Sequence, residues 1–222
     1  MSGKGHNAPV PRLKFLISIS LDGFVAGPNQ SDEHPLGEGG EGLHDWVVEL
    51  EAWRRAHGRE GGEVNASTEV FEEASGNAGA IVMGRNMFGG GSGPWGEDPW
   101  TGWWGEEPPF HVPVFVLTHH EREPLEMDGG TTFHFVTDGI ESALEQASRA
   151  AGGKDVNIAG GGEVGRQYLA AGLIDEMWLH VVPILLGAGA PLFDETTAGS
   201  DLEQVRVVEA PGVAHLNYRR TG

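Results

Sequence analysis

The 222-residue sequence predicts an α/β fold of three layers, with helices on both faces of a mixed, mostly parallel sheet that closes in an antiparallel C-terminal hairpin. Three observations predict it. Short apolar, β-branched runs alternate with segments whose apolar residues recur at helical spacing, the pattern of strands buried on both faces. Gly160-Gly161-Gly162 stands between one such run and the next helical segment. Two final runs meet at Pro211-Gly212, a pair suited to turning a chain back on itself.

The elements follow in order. Leu13–Ser20 is rich in apolar and β-branched residues and reads as a buried strand, turned at Asp22-Gly23 and resumed briefly at Phe24-Val25-Ala26. Residues 43–56 place Leu43, Trp46, Val47, Leu50 and Trp53 on one helical face. A second, weaker helix covers Ala66–Ser75, with Asn65 or Ser67 as its cap. Strands are expected at 79–83, 112–118 and 131–136, and a helix at 140–151 that Gly152-Gly153 stops. Asp155–Ala159 is the strand before the glycine turn, and 163–171 the helix after it. A long strand is expected over 174–186, interrupted by Pro183, before the hairpin of Leu202–Ala210 and 214–220. Residues 89–109 hold Trp95, Trp100, Trp103 and Trp104 in a loop long enough to be functional or mobile. The residues 1–12 read as a flexible polar arm, and 13–222 as one domain with no internal repeat.

Composition narrows the function. The formal charge is −19, from 14 Lys+Arg against 33 Asp+Glu, which repels a polyphosphate backbone and argues against nucleic-acid binding. Mean hydropathy is −0.27 and no apolar run is long enough to span a membrane. The absence of cysteine removes disulfides and thiolate chemistry and, without an apolar leader, fits a cytoplasmic protein.

Against so acidic a background, basic residues at strand ends carry information. A strand, three glycines and a helix make an anion site, because glycines allow close backbone approach and a helix start offers unpaired N–H groups. Gly160, Gly161, Gly162 and Glu163 therefore suit a pyrophosphate, or else form a tight turn with no ligand. Gly84-Arg85 follows a strand, where an arginine fork is either a phosphate clamp or a surface ion pair. Thr118-His119-His120-Glu121-Arg122 follows the next strand and could hold a terminal phosphate such as that of NADPH. Paired histidines also suggest a metal, but no third ligand stands at metal spacing, so no metal is expected. Asp22 and Asp45 are the candidate catalytic carboxylates, although Asp45 equally suits a helix start as a plain acid. The tryptophans are either a lid over a flat ring or anchors for a long loop.

Segments in this order resemble the dihydrofolate reductase superfamily, in the branch containing the reductase domain of bacterial riboflavin biosynthesis. They are Ser18-Ile19-Ser20-Leu21-Asp22-Gly23-Phe24-Val25-Ala26, then Met83-Gly84-Arg85-Asn86-Met87-Phe88 and Val114-Phe115-Val116-Leu117-Thr118-His119. Ile158-Ala159-Gly160-Gly161-Gly162-Glu163-Val164 and Gly172-Leu173-Ile174-Asp175-Glu176-Met177-Trp178-Leu179-His180 complete the set, and the resemblance runs nearly the whole chain. It implies a dihydrofolate-reductase-like fold and an NADPH-dependent reductase of a small heterocyclic molecule. Alternatives are the 5-amino-6-(5-phosphoribosylamino)uracil reductase of riboflavin synthesis, and a nucleotide-binding protein without catalysis. By resemblance, Arg85, Thr118 and His119 face the adenosine phosphates and Gly161, Gly162 and Glu163 line the pyrophosphate. The backbone at Val25 and Ala26 holds the nicotinamide, and substrate meets Asp22, Asp45 and Trp46. The resemblance further implies a cis peptide in the glycine turn, at 160–161 or 161–162. It also implies a homodimer, to which the apolar run 174–186 would contribute.

Overall fold

Runs of β-branched and aromatic residues bury best when paired on both edges, and seven of them do so here. The structure is a computed structural model that describes residues 11–31, 33–97, 99–199 and 201–221; most of the expected N-terminal arm, residues 1–10, lies outside them. In chain order the strands are β1 (Leu13–Ser20), β2 (Phe24–Ala26), β3 (Ala78–Gly84), β4 (Pro113–Leu117), β5 (Leu125–Glu126) and β6 (Thr132–Val136). They continue as β7 (Asp155–Ala159), β8 (Glu176–Val182), β9 (Ala190–Pro191), β10 (Leu202–Ala210) and β11 (Val213–Arg220). The helices are α1 (Asp45–Val48), α2 (Glu51–Ala56), α3 (Ala66–Ser75), α4 (Arg85–Phe88), α5 (Ile140–Ala150) and α6 (Gly162–Ala170).

The main sheet has the order β10-β11-β8-β1-β7-β3-β4-β6-β5. From β8 to β6 every pairing is parallel, while β11 and β5 add antiparallel neighbours, as the expected mixed sheet requires. β10 and β11 form the hairpin through Pro211 and Gly212, whose φ of 72° uses the freedom of glycine at the turn. β2 and β9 make a separate two-stranded ribbon beside the C-terminal end of the sheet.

Side chains alternate across the sheet. Phe15, Ile17 and Ile19 of β1 enter the main core with Val156, Ile158, Val164 and Tyr168, beneath α5 and α6. Gly165 makes this packing possible: a Cβ there would lie 2.2 Å from Phe15 Cζ. The opposite face is covered in two blocks. Val70 and Ala74 of α3 pack on Trp178 and Leu16, whereas Phe88 of α4 packs on Ile81, Met83, Val114 and Phe133 with Trp95 and Trp104. The two blocks flank β7, whose last residue Ala159 stays half-buried with Gly160.

Two expectations are corrected here. Residues 43–56 do not form one helix: Leu50 is extended (φ −69°, ψ 136°) and divides α1 from α2. The amide of Glu51 donates to Glu63 O (2.9 Å) and that of Glu63 to Glu49 O (2.7 Å), so a passing strand-like segment takes groups that a continuous helix would pair internally. Gly62 allows this approach, since a Cβ there would stand 2.6 Å from Glu51 N. The run 174–186 yields only β8, hydrogen-bonded on both edges by β11 and β1 and buried on both faces. It has no free edge for a second copy, so it gives no support to the expected homodimer.

Candidate active site

Parallel strands deliver their C-terminal ends to one edge of the sheet, and ligands of open α/β sheets collect there. β3 leads outward to β4 while β7 returns between β1 and β3, and the helices that follow β3 and β7 leave on opposite faces. Gly84-Arg85, Thr118 and Gly160-Gly161-Gly162 all lie on this edge, as their sequence positions foretold.

The glycine turn has both of its first two residues at positive φ, Gly160 at 70° and Gly161 at 85°. A side chain on Gly161 would meet nothing within 4 Å, so the space before α6 is open; Gly162 instead faces Val25 Cγ2 at 2.9 Å. Val25 is thus brought against the start of α6, and Ala26 beside it is buried. The expected cis peptide is absent: every described peptide is trans. Two successive left-handed glycines turn the chain into α6 without it, and avoid the ~2.5–4 kcal/mol of a non-proline cis bond.

Arg85 does not stand open to solvent. It is 8% exposed, with Nε donating to Gly91 O (2.7 Å), Nη2 donating to Gly90 O (2.9 Å) and its Cζ 3.0 Å from the Trp95 ring centroid. Nη1 is buried without a partner. Arg122 approaches the same indole, 4.6 Å from its centroid, and donates to Trp100 O (2.6 Å). Burial, reinforced by Arg122, pulls the Arg85 guanidinium down to about 10, and burial lowers Arg122 as well. Among the described residues neither arginine has a carboxylate partner, so two like charges share one aromatic ring. Thr118 is buried and its Oγ1 accepts from His120 N (3.3 Å), while His119 is exposed.

The tryptophans are anchors. Nε1 of Trp95, Trp100 and Trp103 donates to the carbonyls of His120, Phe88 and Met87, and Trp104 stacks on Phe133. Indoles packed against protein satisfy their N–H with a nearby acceptor, and here the loop's own neighbours supply it. Gly89 and Gly90 admit these rings: a Cβ on either would stand 2.7 Å or less from Trp103 or Trp100.

Asp22 is bound as a bracket. Its carboxylate accepts from Ser20 Oγ (2.6 Å), Gly187 N (2.7 Å) and Leu186 N (3.1 Å), tying the end of β1 to the loop after β8. The Ser20 hydroxyl and the Gly187 amide hold its carboxyl below the usual range, so it is ionised at neutral pH and serves as an acceptor. Asp45 is exposed at the first residue of α1. Trp46 beside it turns inward, with Nε1 donating to Ser18 Oγ (3.0 Å) and ring centroids 4.6 Å from His180 and 4.8 Å from His215.

Ser67 reads in the sequence only as a helix cap, and His180 and His215 were not singled out because scattered histidines carry no spacing signal. Their alternation did carry one: His180 is two residues from buried Trp178 and His215 two from buried Val213, which puts both rings inside. A cavity of about 300 Å³ lined by Gly172, Ile174, Asp201 and Arg220 lies at the opposite end of the strands, remote from these groups.

Fold and strand-end arrangement together define the class: this is a dihydrofolate-reductase-like α/β protein. The chain belongs to the RibD C-terminal domain family, whose model matches residues 11–215. Two proteins of Bacillus subtilis (strain 168) described as uncharacterised are similar to it along their length. YwjB is 30% identical over 212 residues (92% of this chain, 95% of that protein), and YyaP 22% over 226 residues (98% and 99%). Among solved structures, a putative riboflavin biosynthesis protein from Shewanella sp. PV-4 superposes with a TM-score of 0.58 at 22% identity, covering 95% of this chain and 99% of that one. RibD of Acinetobacter baumannii gives 0.59 at 18% identity, covering 96% of this chain but 59% of that one. Dihydrofolate reductase of Enterococcus faecalis, complexed with NADP(H), gives 0.50 at 14% identity, covering 95% and 97%. RibD-like and dihydrofolate-reductase-like reductases thus share this fold. Among the described residues, no helix is long and apolar enough to cross a membrane.

Proposed function

We propose that the chain is an NADPH-dependent reductase that transfers hydride to a small heterocyclic substrate. The observation that carries this reading is the pair Arg85 and Arg122, unpaired by any described carboxylate and set around Trp95 beside the open glycine turn. In a chain of charge −19, two such guanidiniums, one with a buried orphan N–H, fit a phosphate group. The open space at Gly161 and the free N–H groups at the start of α6 fit a pyrophosphate in the same way.

Bound there, NADPH would supply the hydride. Gly162 and Glu163 would hold the pyrophosphate by backbone N–H, Arg85, Arg122 and Thr118 the terminal phosphate, and the β2 backbone at Val25 and Ala26 the nicotinamide. Trp46 would wall the substrate side. Asp22 is fixed as an acceptor by its hydroxyl and amide donors, so it orients rather than gives a proton; Asp45, exposed at the start of α1, is the acid left for that task. Purified protein titrated with NADPH and NADH tests the reading, and a clear preference for NADPH is expected.

The family match favours a second, narrower reading, the pyrimidine-reductase step of riboflavin synthesis. Growth of a riboflavin auxotroph deficient in that step, carrying this gene, supports it; no growth with the protein present removes it.

A further inference from the structure

Ser18, His180 and His215 are partners in register across β1, β8 and β11, so their side chains form one row on the face that α1 and α3 cover. Ser67 of α3 ends the row, its Oγ 2.9 Å from His215 Nε2. Nδ1 of His215 then lies 2.8 Å from Nδ1 of His180. Two N–H groups cannot face each other at that distance, so one Nδ1 is bare and at most one of the rings is charged. Burial removes the remaining charge: His180 is 5% and His215 0% exposed, with no carboxylate bonded to either among the described residues. The other titratable group facing the pair is His44, in the turn before α1, whose Nδ1 is itself buried without a partner. α1 contributes Trp46 and α3 the neutral Ser67.

Trp46 rests on this row at both of its ends. Its indole N–H is satisfied by Ser18, and its ring lies against both imidazoles, edge-on to His215 at 69° and tilted 48° to His180. The short helix that carries it, four residues long, cannot fix a large side chain by itself. Each imidazole in turn is fixed by the other, and His215 also by Ser67. We propose that His180 and His215 are positioning residues, a hydrogen-bonded imidazole pair that holds the Trp46 indole as a fixed aromatic wall against which a planar heterocycle stacks. The heterocycle rests on the reductase reading; the pair and its grip on Trp46 do not.

The test uses the full chain labelled with nitrogen-15, with Trp46→Phe assigning the Trp46 indole signal. At pH 7.5, long-range proton–nitrogen spectra should show both rings neutral, each with one bare nitrogen. His180→Phe, and the milder Ser67→Ala that leaves the core filled, should speed exchange of the Trp46 indole proton, the first by about tenfold or more. His180→Gln, which keeps a hydrogen-bonding group, should restore part of the protection. Binding of lumazine, a planar probe, should weaken in His180→Phe while binding of NADPH stays within about twofold of the parent. A charged ring at pH 7.5, or indole exchange unchanged in both His180→Phe and Ser67→Ala, overturns the inference. Failure of the parent to bind NADPH overturns the reductase reading instead, and the exchange rates still decide the pair.

Discussion

Nδ1 of His180 stands 2.8 Å from Nδ1 of His215 in a row that the sheet and two helices seal from water. Burial, with His215 and His44 adding to it, pushes His180 down to about 3, and burial pushes His215 to about 4, from an ordinary 6.5. Stability therefore depends on pH with a definite sign. Below about 6.5 the unfolded rings take up protons and the folded ones do not, so the unfolded state gains. Stability should be full above pH 6.5 and decline as pH falls toward 4. His44, also lowered by burial, adds in the same direction. Urea unfolding at pH 7.5, 6.0 and 5.0 should show the decline, and a flat profile across that window would refute it.

Glu176 is a buried carboxylate set among four donors. Its Oε1 accepts from Trp178 Nε1 (3.0 Å) and Asn217 Nδ2 (3.1 Å), and its Oε2 meets Arg12 (2.7 Å) and Arg219 (3.6 Å). Burial alone would raise its pKa, but these partners outweigh burial and hold it low. Glu176→Gln turns an amide toward donors and should lower unfolding free energy by about 2–4 kcal/mol, the lower side of the range for a broken buried pair because Arg12 stays partly in water. Loss of less than about 1 kcal/mol would show that the cluster is not a stabilising one.

The strand ends were legible before the structure, and so were the mostly parallel sheet and the hairpin, because β-branched runs, glycine turns and Pro211-Gly212 are local signals. Arg85, Thr118 and the glycines landed on one edge for the same reason. What escaped was set by partners that spacing along one segment does not reveal. Leu50 breaks a helix whose spacing is sound because Glu63, far along the chain, takes its neighbours' backbone groups. Arg85 turned inward because carbonyls of Gly90 and Gly91 and the ring of Trp95 fold back over it. The His180–His215 pair needs the register of three strands, which no single segment encodes.

Two glycines of one turn and helix should separate structure from binding. Gly165→Ala drives a methyl 2.2 Å from Phe15 Cζ and should cost about 1–3 kcal/mol of stability by overpacking. Gly161→Ala meets no atom within 4 Å and costs only the ~1–2 kcal/mol of a left-handed residue with a Cβ, yet it places that Cβ where a pyrophosphate would lie. NADPH affinity should fall further than stability in Gly161→Ala. Equal losses in thermal melts and nucleotide titrations would mark the turn as purely structural.

Arg122→Ala should weaken NADPH by about tenfold and leave NADH nearly unchanged, because its guanidinium lies beside Arg85 without a carboxylate of its own. Arg85→Ala should weaken NADPH too, but should also lower the melting temperature, since it releases Gly90, Gly91 and Trp95 together. An Arg122→Ala protein that binds both nucleotides as the parent does would move the phosphate site elsewhere.

The most direct measurement of the central claim is calorimetric titration of the purified chain with NADPH and with NADH at moderate salt. Two unpaired guanidiniums and an open helix start at one strand edge predict saturable NADPH binding about tenfold or more tighter than NADH. No binding of either nucleotide at about millimolar concentration, a free energy near −4 kcal/mol, would contradict the account.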